Sequence, residues 1–362
     1  MNADLVIVLT ALLVSSAAAL LGSFLVLRRA AMMADAISHS VLPGIVLAFA
    51  LSGGEKATLP ALAGAAAAGL ITVFVSEWLV QTGKVKNDTA IGTVFPLMFS
   101  LGVLGVSLAF RNVHLDLDAV LYGEIAYAPF NILEVSGTQW GPESLWLMGG
   151  VLIINVLFVA LFYKELKLST FDRGLAGALG FAPTALHYAL MSLVSVTSVG
   201  AFQSVGAILI VAFIIVPPAT AYLLTKRLET MVLLAVLMGA ISSVGGYALA
   251  IALDASIAGA MASMAGALFG LALLFSPTQG LVSAAMRRTR QRRMVSGHLL
   301  ASHLAHHDRA VSDAELLEEL GWSERALREA RTAALEAGLI RVETNGLRAQ
   351  SRPFPAGVPN LG

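Results

Sequence analysis

The chain has 362 residues, 57% hydrophobic and only 13% charged, with mean hydropathy +0.80 and a formal net charge of zero. A soluble domain carries about 25% charged residues, so the composition excludes an ordinary soluble fold and points to a polytopic membrane protein. There is no cysteine, which excludes disulfides and thiolate metal sites.

The N-terminus lacks a basic n-region and a convincing cleavage site, so the first apolar run reads as a retained helix rather than a signal peptide. Nine apolar segments can be drawn, giving an all-α membrane domain of eight to nine transmembrane helices. They are roughly 5–27, 31–52, 59–80, 89–110, 143–163, 183–201, 204–225, 230–252 and 257–276. Gly, Ala and Ser are abundant inside them, as they are where helix backbones approach closely in lipid. The connection 111–142 contains amphipathic pieces able to re-enter the membrane. The double proline at Pro217 and Pro218 is expected to kink or loosen its helix.

Basic residues set the orientation. With the N-terminus outside, Arg28, Arg29, Lys84, Lys86, Lys164, Lys167, Arg173, Lys226 and Arg227 all fall in cytoplasmic loops, and only Lys56 and Arg111 fall outside. The C-terminus is then cytoplasmic, preceded by the basic run 287–293, which suits contact with anionic membrane lipid.

After residue 287 the character changes, and about half of the lysines and arginines lie in these last 75 or so residues. A first helix is expected over 294–306. Ser312 and Glu315 form a capping-box pattern for a second helix ending near Gly321, and Ser323 opens a third running to about residue 337. Residues 338–348 then read as strand, Asn-Gly turn and strand. The expected domains are therefore 1–286, a transmembrane domain; 287–350, a small α+β winged helix-turn-helix-like domain; and 351–362, a disordered tail. The third helix mixes Arg325, Arg328 and Arg331 with Glu324, Glu329 and Glu336, a poor arrangement for attracting phosphate, so DNA is not the expected partner. A regulatory, ATPase-contacting or dimer-contacting role is preferred. His303, His306 and His307 share a helix face, but without an acid in the same turn they read as a solvated face rather than a metal site.

The stretch that stands out is 28–44, where Asp35 and His39 sit four residues apart at the head of an otherwise apolar run. On a helix both project from one face. With Arg28 and Arg29 at the cytoplasmic edge, they lie roughly 9–15 Å into the membrane. A charged residue at the centre of a spanning helix costs about 2.5–3.5 kcal/mol on insertion scales, so it needs a reason to be there. Carboxylate plus neutral imidazole suits Mn, Fe(II) or Zn, and Met32 could add a weak thioether. Two ligands are too few for a tight site, which suits an ion that must leave, and a second copy across a dimer axis would supply four. An internal Asp–His hydrogen bond is the alternative. Elsewhere, His114, Asp116 and Asp118 form a candidate external entry point for metal, or a solvated loop. Glu77 and Asp88 have structural readings, snorkelling and helix N-capping respectively. Residues 164–183 contain a short apolar helix over 171–181 ended by Gly180, read from sequence as an interfacial loop or a docking knob.

Several ordered blocks resemble the membrane permeases of ABC importers of zinc, manganese and iron. They are 27–44 with Asp35-x-x-x-His39, 87–95, 116–123, 171–188, 203–209 and 217–221, and the resemblance covers roughly 5–280. It implies a type II ABC importer permease in a bacterial cytoplasmic (inner) membrane. It implies Asp35 and His39 as ligands on the path of a transported ion, manganese first and zinc or iron as alternatives, with no permanently bound cofactor. It also makes Phe171, Asp172, Arg173, Gly174, Leu175, Ala176, Gly180 and Phe181 the helix that couples to an ATP-binding subunit. The implied partners are that ATPase, an extracytoplasmic metal-binding protein, and a second permease, identical or related. No Gly-x-x-x-x-Gly-Lys-Ser/Thr loop occurs (Gly83-Lys84 is followed by Val85), so the chain is expected to be no enzyme, with ATP hydrolysed elsewhere. Two other functions compete: an ion-coupled secondary metal transporter and a membrane-tethered metal sensor.

Overall fold

The structure, a computed structural model, describes residues 2–52, 58–109, 124–135, 138–277, 279–307, 309–343 and 345–350. It divides into two compact units, Met1–Thr278 and Gln279–Gly362. Among the described residues, nine helical stretches are long and apolar enough to cross a membrane, all in the first unit.

Helix α1 (Ala3–Leu27) is the centre of this unit: from Ala11 to Leu25 most of its side chains are buried. The second stretch is two helices, α2 (Ala31–Ser40) and α3 (Leu42–Leu51), where sequence suggests one. Pro43 has no N–H to offer the His39 carbonyl, so the ladder breaks there. It restarts with the Gly44 and Ile45 amides both bonding the Val41 carbonyl at 3.1 Å. Helices α4 (Thr58–Gln81) and α5 (Asn87–Ala109) pack against both halves. After the connection 110–142 come α6 (Glu143–Leu161), the short α7 (Tyr163–Phe171) and α8 (Arg173–Ala178), then α9 (Pro183–Val205), α10 (Ala207–Leu224), α11 (Leu228–Leu253) and α12 (Ile257–Phe275). Gly206 separates α9 from α10 at φ 81°, ψ 166°, a conformation open in practice only to glycine.

Close backbone approach holds the bundle together, as expected where apolar side chains gain little by leaving lipid. A Cβ on Gly44 would lie 2.0 Å from the Gly64 carbonyl oxygen, so α3 and α4 touch through their main chains. Gly22 of α1 stands in the same relation to the Ile214 carbonyl of α10, at 2.0 Å. Pro218 supplies no N–H to that carbonyl, which therefore faces the neighbouring helix. α10 keeps helical backbone through both prolines, which are buried. Buried hydroxyl and amide groups cross-link further pairs, with Asn155 Nδ2 donating to Thr197 Oγ1 at 2.9 Å and Thr10 meeting Ser144 at 3.0 Å.

Among the described residues of the connection between α5 and the next span there are a 3-10 turn (Ile125–Tyr127) and an antiparallel hairpin, β1 (Ile132–Val135) with β2 (Thr138–Pro142). Trp146 donates to the Trp140 carbonyl at 2.8 Å, placing two indoles at the head of α6.

In the second unit α13 (Leu281–Leu304) is one continuous helix that carries the basic run within it, so it starts before the helix expected at 294. Ser312 caps α14 (Asp313–Leu320) by accepting from the Glu315 amide at 3.3 Å, and Gly321 ends it with φ 63°. Ser323 caps α15 (Glu324–Glu336) in the same way. Strands β3 (Ile340–Glu343) and β4 (Gly346–Ala349) pair antiparallel, and Val311 bridges to Leu347. Leu300, Leu304, Leu316, Leu327, Ile340 and Leu347 form a core of their own. The tail expected at 351–362 lies outside the described residues.

Gly22→Ala places a methyl against backbone that cannot retreat without separating α1 from α10, and is expected to cost about 1–3 kcal/mol. A thermal melt of the detergent-solubilised protein checks it; an unchanged midpoint would contradict the close contact.

Candidate metal path and coupling surface

Helix α2 is buried along one side by Met33, Ala34, Ala36, Ile37, Ser38 and Ser40, against α4, α5, α9 and α10. Its other side carries Met32, Asp35 and His39, one stripe at helical spacing. Asp35 and His39 meet at 3.5 Å (His39 Nε2 to Asp35 Oδ1) with side chains 41% and 48% exposed. They are therefore only loosely paired and open to a partner or an ion. His39 also stacks loosely on Phe95 of α5, ring centres 6.0 Å apart. The break at Pro43 leaves the His39 carbonyl without its helical donor, adding an oxygen acceptor beside the imidazole. His114, Asp116 and Asp118 lie outside the described residues.

The short helix α8 is narrower than expected. Phe171 closes α7 instead, and Asp172 caps α8, its Oδ1 accepting from the Leu175 amide at 2.9 Å. Gly180 ends the turn with φ 85°. Ala176 is buried, while Phe171, Leu175, Leu179 and Phe181 are exposed, an apolar knob standing out from the chain. Arg173 and Gly174 are exposed on the same segment.

A polar cluster that sequence reasoning missed connects this segment to the foot of α2. Helix α1 ends with Arg29 in the left-handed region at φ 56° and the Ala30 amide reaching back to Leu25, a C-cap usually made by glycine. Arg28, just before it, donates through Nε to Thr170 Oγ1 at 3.0 Å and through Nη2 to Ser169 Oγ at 2.9 Å, both at the end of α7. Its Nη1 approaches His187 Nδ1 of α9 at 3.4 Å. That contact assigns the imidazole proton to Nε2, which faces the Glu77 carboxylate of α4 in direct contact. Glu77 thus does not snorkel; it closes a chain from α7 through α1 and α9 to α4. Burial, with the like charge of Arg173 nearby, pushes the Arg28 guanidinium down to about 10, still cationic at neutral pH. The only hint in the sequence was the presence of Glu77, His187 and Arg28 at predicted inner helix ends. Asp88 stands in the first turn of α5, where its charge suits the helix dipole, rather than at the cap.

With this geometry in hand, similarity to known proteins is specific. The ABC 3 transport family matches residues 5–276. The zinc transport system membrane protein TroD of Treponema pallidum is 51% identical over 342 residues, 92% of each chain, a span too long to stop within the first unit. The manganese transport system membrane protein MntD of Bacillus subtilis is 46% identical over 281 residues, covering 78% of this chain and 95% of the relative. Among solved structures, PsaBC from Streptococcus pneumoniae in complex with Fab superposes with a TM-score of 0.62 at 32% identity, over 75% of this chain and 91% of that one.

A double-mutant cycle tests the buried pair. Glu77→Gln and His187→Ala should each destabilise the protein and be non-additive together by about 0.5–3 kcal/mol, read from thermal unfolding in detergent. Simple additivity would contradict the contact.

Proposed function

The chain belongs to the ABC 3 transport family, and from that premise we propose that it is the membrane permease subunit of an ATP-driven importer of divalent transition metal ions. The observation that carries this reading is the Asp35/His39 pair. It is half-exposed on a helix otherwise wedged into the bundle, at a depth where lipid would penalise both groups. A carboxylate oxygen and an imidazole nitrogen at 3.5 Å can share one passing ion. Manganese is the first candidate and zinc or iron follow, since hard oxygen and borderline nitrogen donors accept all three. The relatives point the same way, one described as a zinc and one as a manganese transport protein.

The permease pairs with a second copy or a related permease across the open face of α2, so that two Asp/His pairs enclose the path. The exposed knob Phe171, Leu175, Leu179 and Phe181 docks into a groove of a separate ATPase, and a metal-binding protein delivers the ion from outside. The chain sits in the bacterial inner membrane with its C-terminus in the cytoplasm, a reading supported by the distribution of basic residues. ATP binding moves the knob. Arg28, bonded to the end of α7 and adjacent to the start of α2, passes that displacement towards Asp35 and His39.

Uptake of radioactive manganese into proteoliposomes holding the assembled transporter is the test. Asp35→Ala and His39→Ala should each abolish uptake while the ATPase subunit still co-purifies. Unchanged uptake of manganese and zinc in both variants would overturn the assignment.

A further inference from the structure

Of the seven histidines in the chain, two converge on one carboxylate in the second unit. We propose that His303, His307 and Glu319 form a binding site for a divalent transition metal ion, separate from the pair on α2. His303 lies in the last turn of α13. The chain then tightens, with the His306 amide bonding the His303 carbonyl and the His307 amide the Leu304 carbonyl, so His307 swings beneath His303. The two rings are 5.0 Å apart. Glu319 comes from α14, a helix fixed by burial of Leu316 in the core it shares with Leu300 and Leu304. This is the acid that the first helix alone did not offer.

His303 Nε2 stands 2.7 Å and His307 Nε2 3.4 Å from the same oxygen, Glu319 Oε2, and all three donor atoms lie within 4.8 Å of one another. An ion about 2.0–2.1 Å from each of three tetrahedral ligands holds them about 3.3 Å apart, so small side-chain rotations complete the site. Two imidazoles and one carboxylate leave a fourth position for water. The side chains are 28%, 26% and 33% exposed, within reach of ions in solution. The competing charge is diverted: Arg309 pairs with Glu315 through both of its terminal nitrogens rather than with Glu319. His306 takes no part, its Nδ1 bonding the Ser302 carbonyl at 2.8 Å. A bound ion ties the end of α13 to α14 and makes the second unit a metal-responsive module. By the first-row affinity order it holds Zn2+ more tightly than Mn2+.

Equilibrium dialysis of Zn2+ against the full-length chain carrying Asp35→Ala and His39→Ala tests the site independently of the transport reading. One Zn2+ per chain is expected to remain in that background. Adding His303→Ala with His307→Ala should remove it. The conservative, near-isosteric Glu319→Gln should weaken it by more than about tenfold, the lower end of what even an outer partner of a metal ligand contributes. His306→Ala should change nothing. Absence of bound Zn2+ in the parent, or its retention with His303 and His307 both replaced, would overturn the proposal.

Discussion

Everything in the membrane unit answers to the cost of keeping a carboxylate and an imidazole within an apolar bundle. Asp35 and His39 stand on a helix whose opposite side is packed against four others, so their position is fixed while their side chains stay available. Pro43 ends that helix directly after the pair, and Gly44 and Gly64 let its continuation lie against α4 at main-chain distance. A larger residue at either glycine would push α3 away and with it the support for α2. Ionisable groups in such a place are tolerated when they face a cavity or a partner.

The Arg28 cluster joins four helices at this end of the bundle. A buried guanidinium bonded to Ser169 and Thr170 makes the α7–α8 corner and the turn into α2 one piece, and His187 with Glu77 extends it to α4 and α9. The left-handed Arg29 at this corner costs backbone strain of about 1–2 kcal/mol, which the surrounding bonds offset. On the proposed coupling, a push on the exposed knob of α8 would reach the foot of the helix bearing Asp35 and His39 through these short polar contacts.

Much of this was legible in the sequence, and the reasons are physical. Long apolar runs bounded by basic residues announce spans, and serine caps with a glycine stop placed α14 and α15 closely. The interruption after Ser40 was not read, because Pro43 two residues into an apolar stretch looks the same whether a helix bends or restarts. At Pro218 the carbonyl freed of its helical donor, that of Ile214, lies against Gly22 of another helix, a tertiary fact with no local signature. The Glu77–His187 contact joins residues more than a hundred positions apart, and the Glu319 ligand to His303 and His307 comes from the next helix. Periodicity identifies faces, not which faces meet.

Because the chain has no cysteine, a single Met32→Cys next to the pair reports directly on what that face of α2 sees. In the assembled transporter, reaction with a charged, membrane-impermeant thiol reagent is predicted, slowed by Mn2+ and no longer slowed when Asp35→Ala is added. Reaction only with a lipid-soluble reagent, unaffected by the metal, would place Asp35 and His39 against lipid and contradict their role on the ion's path.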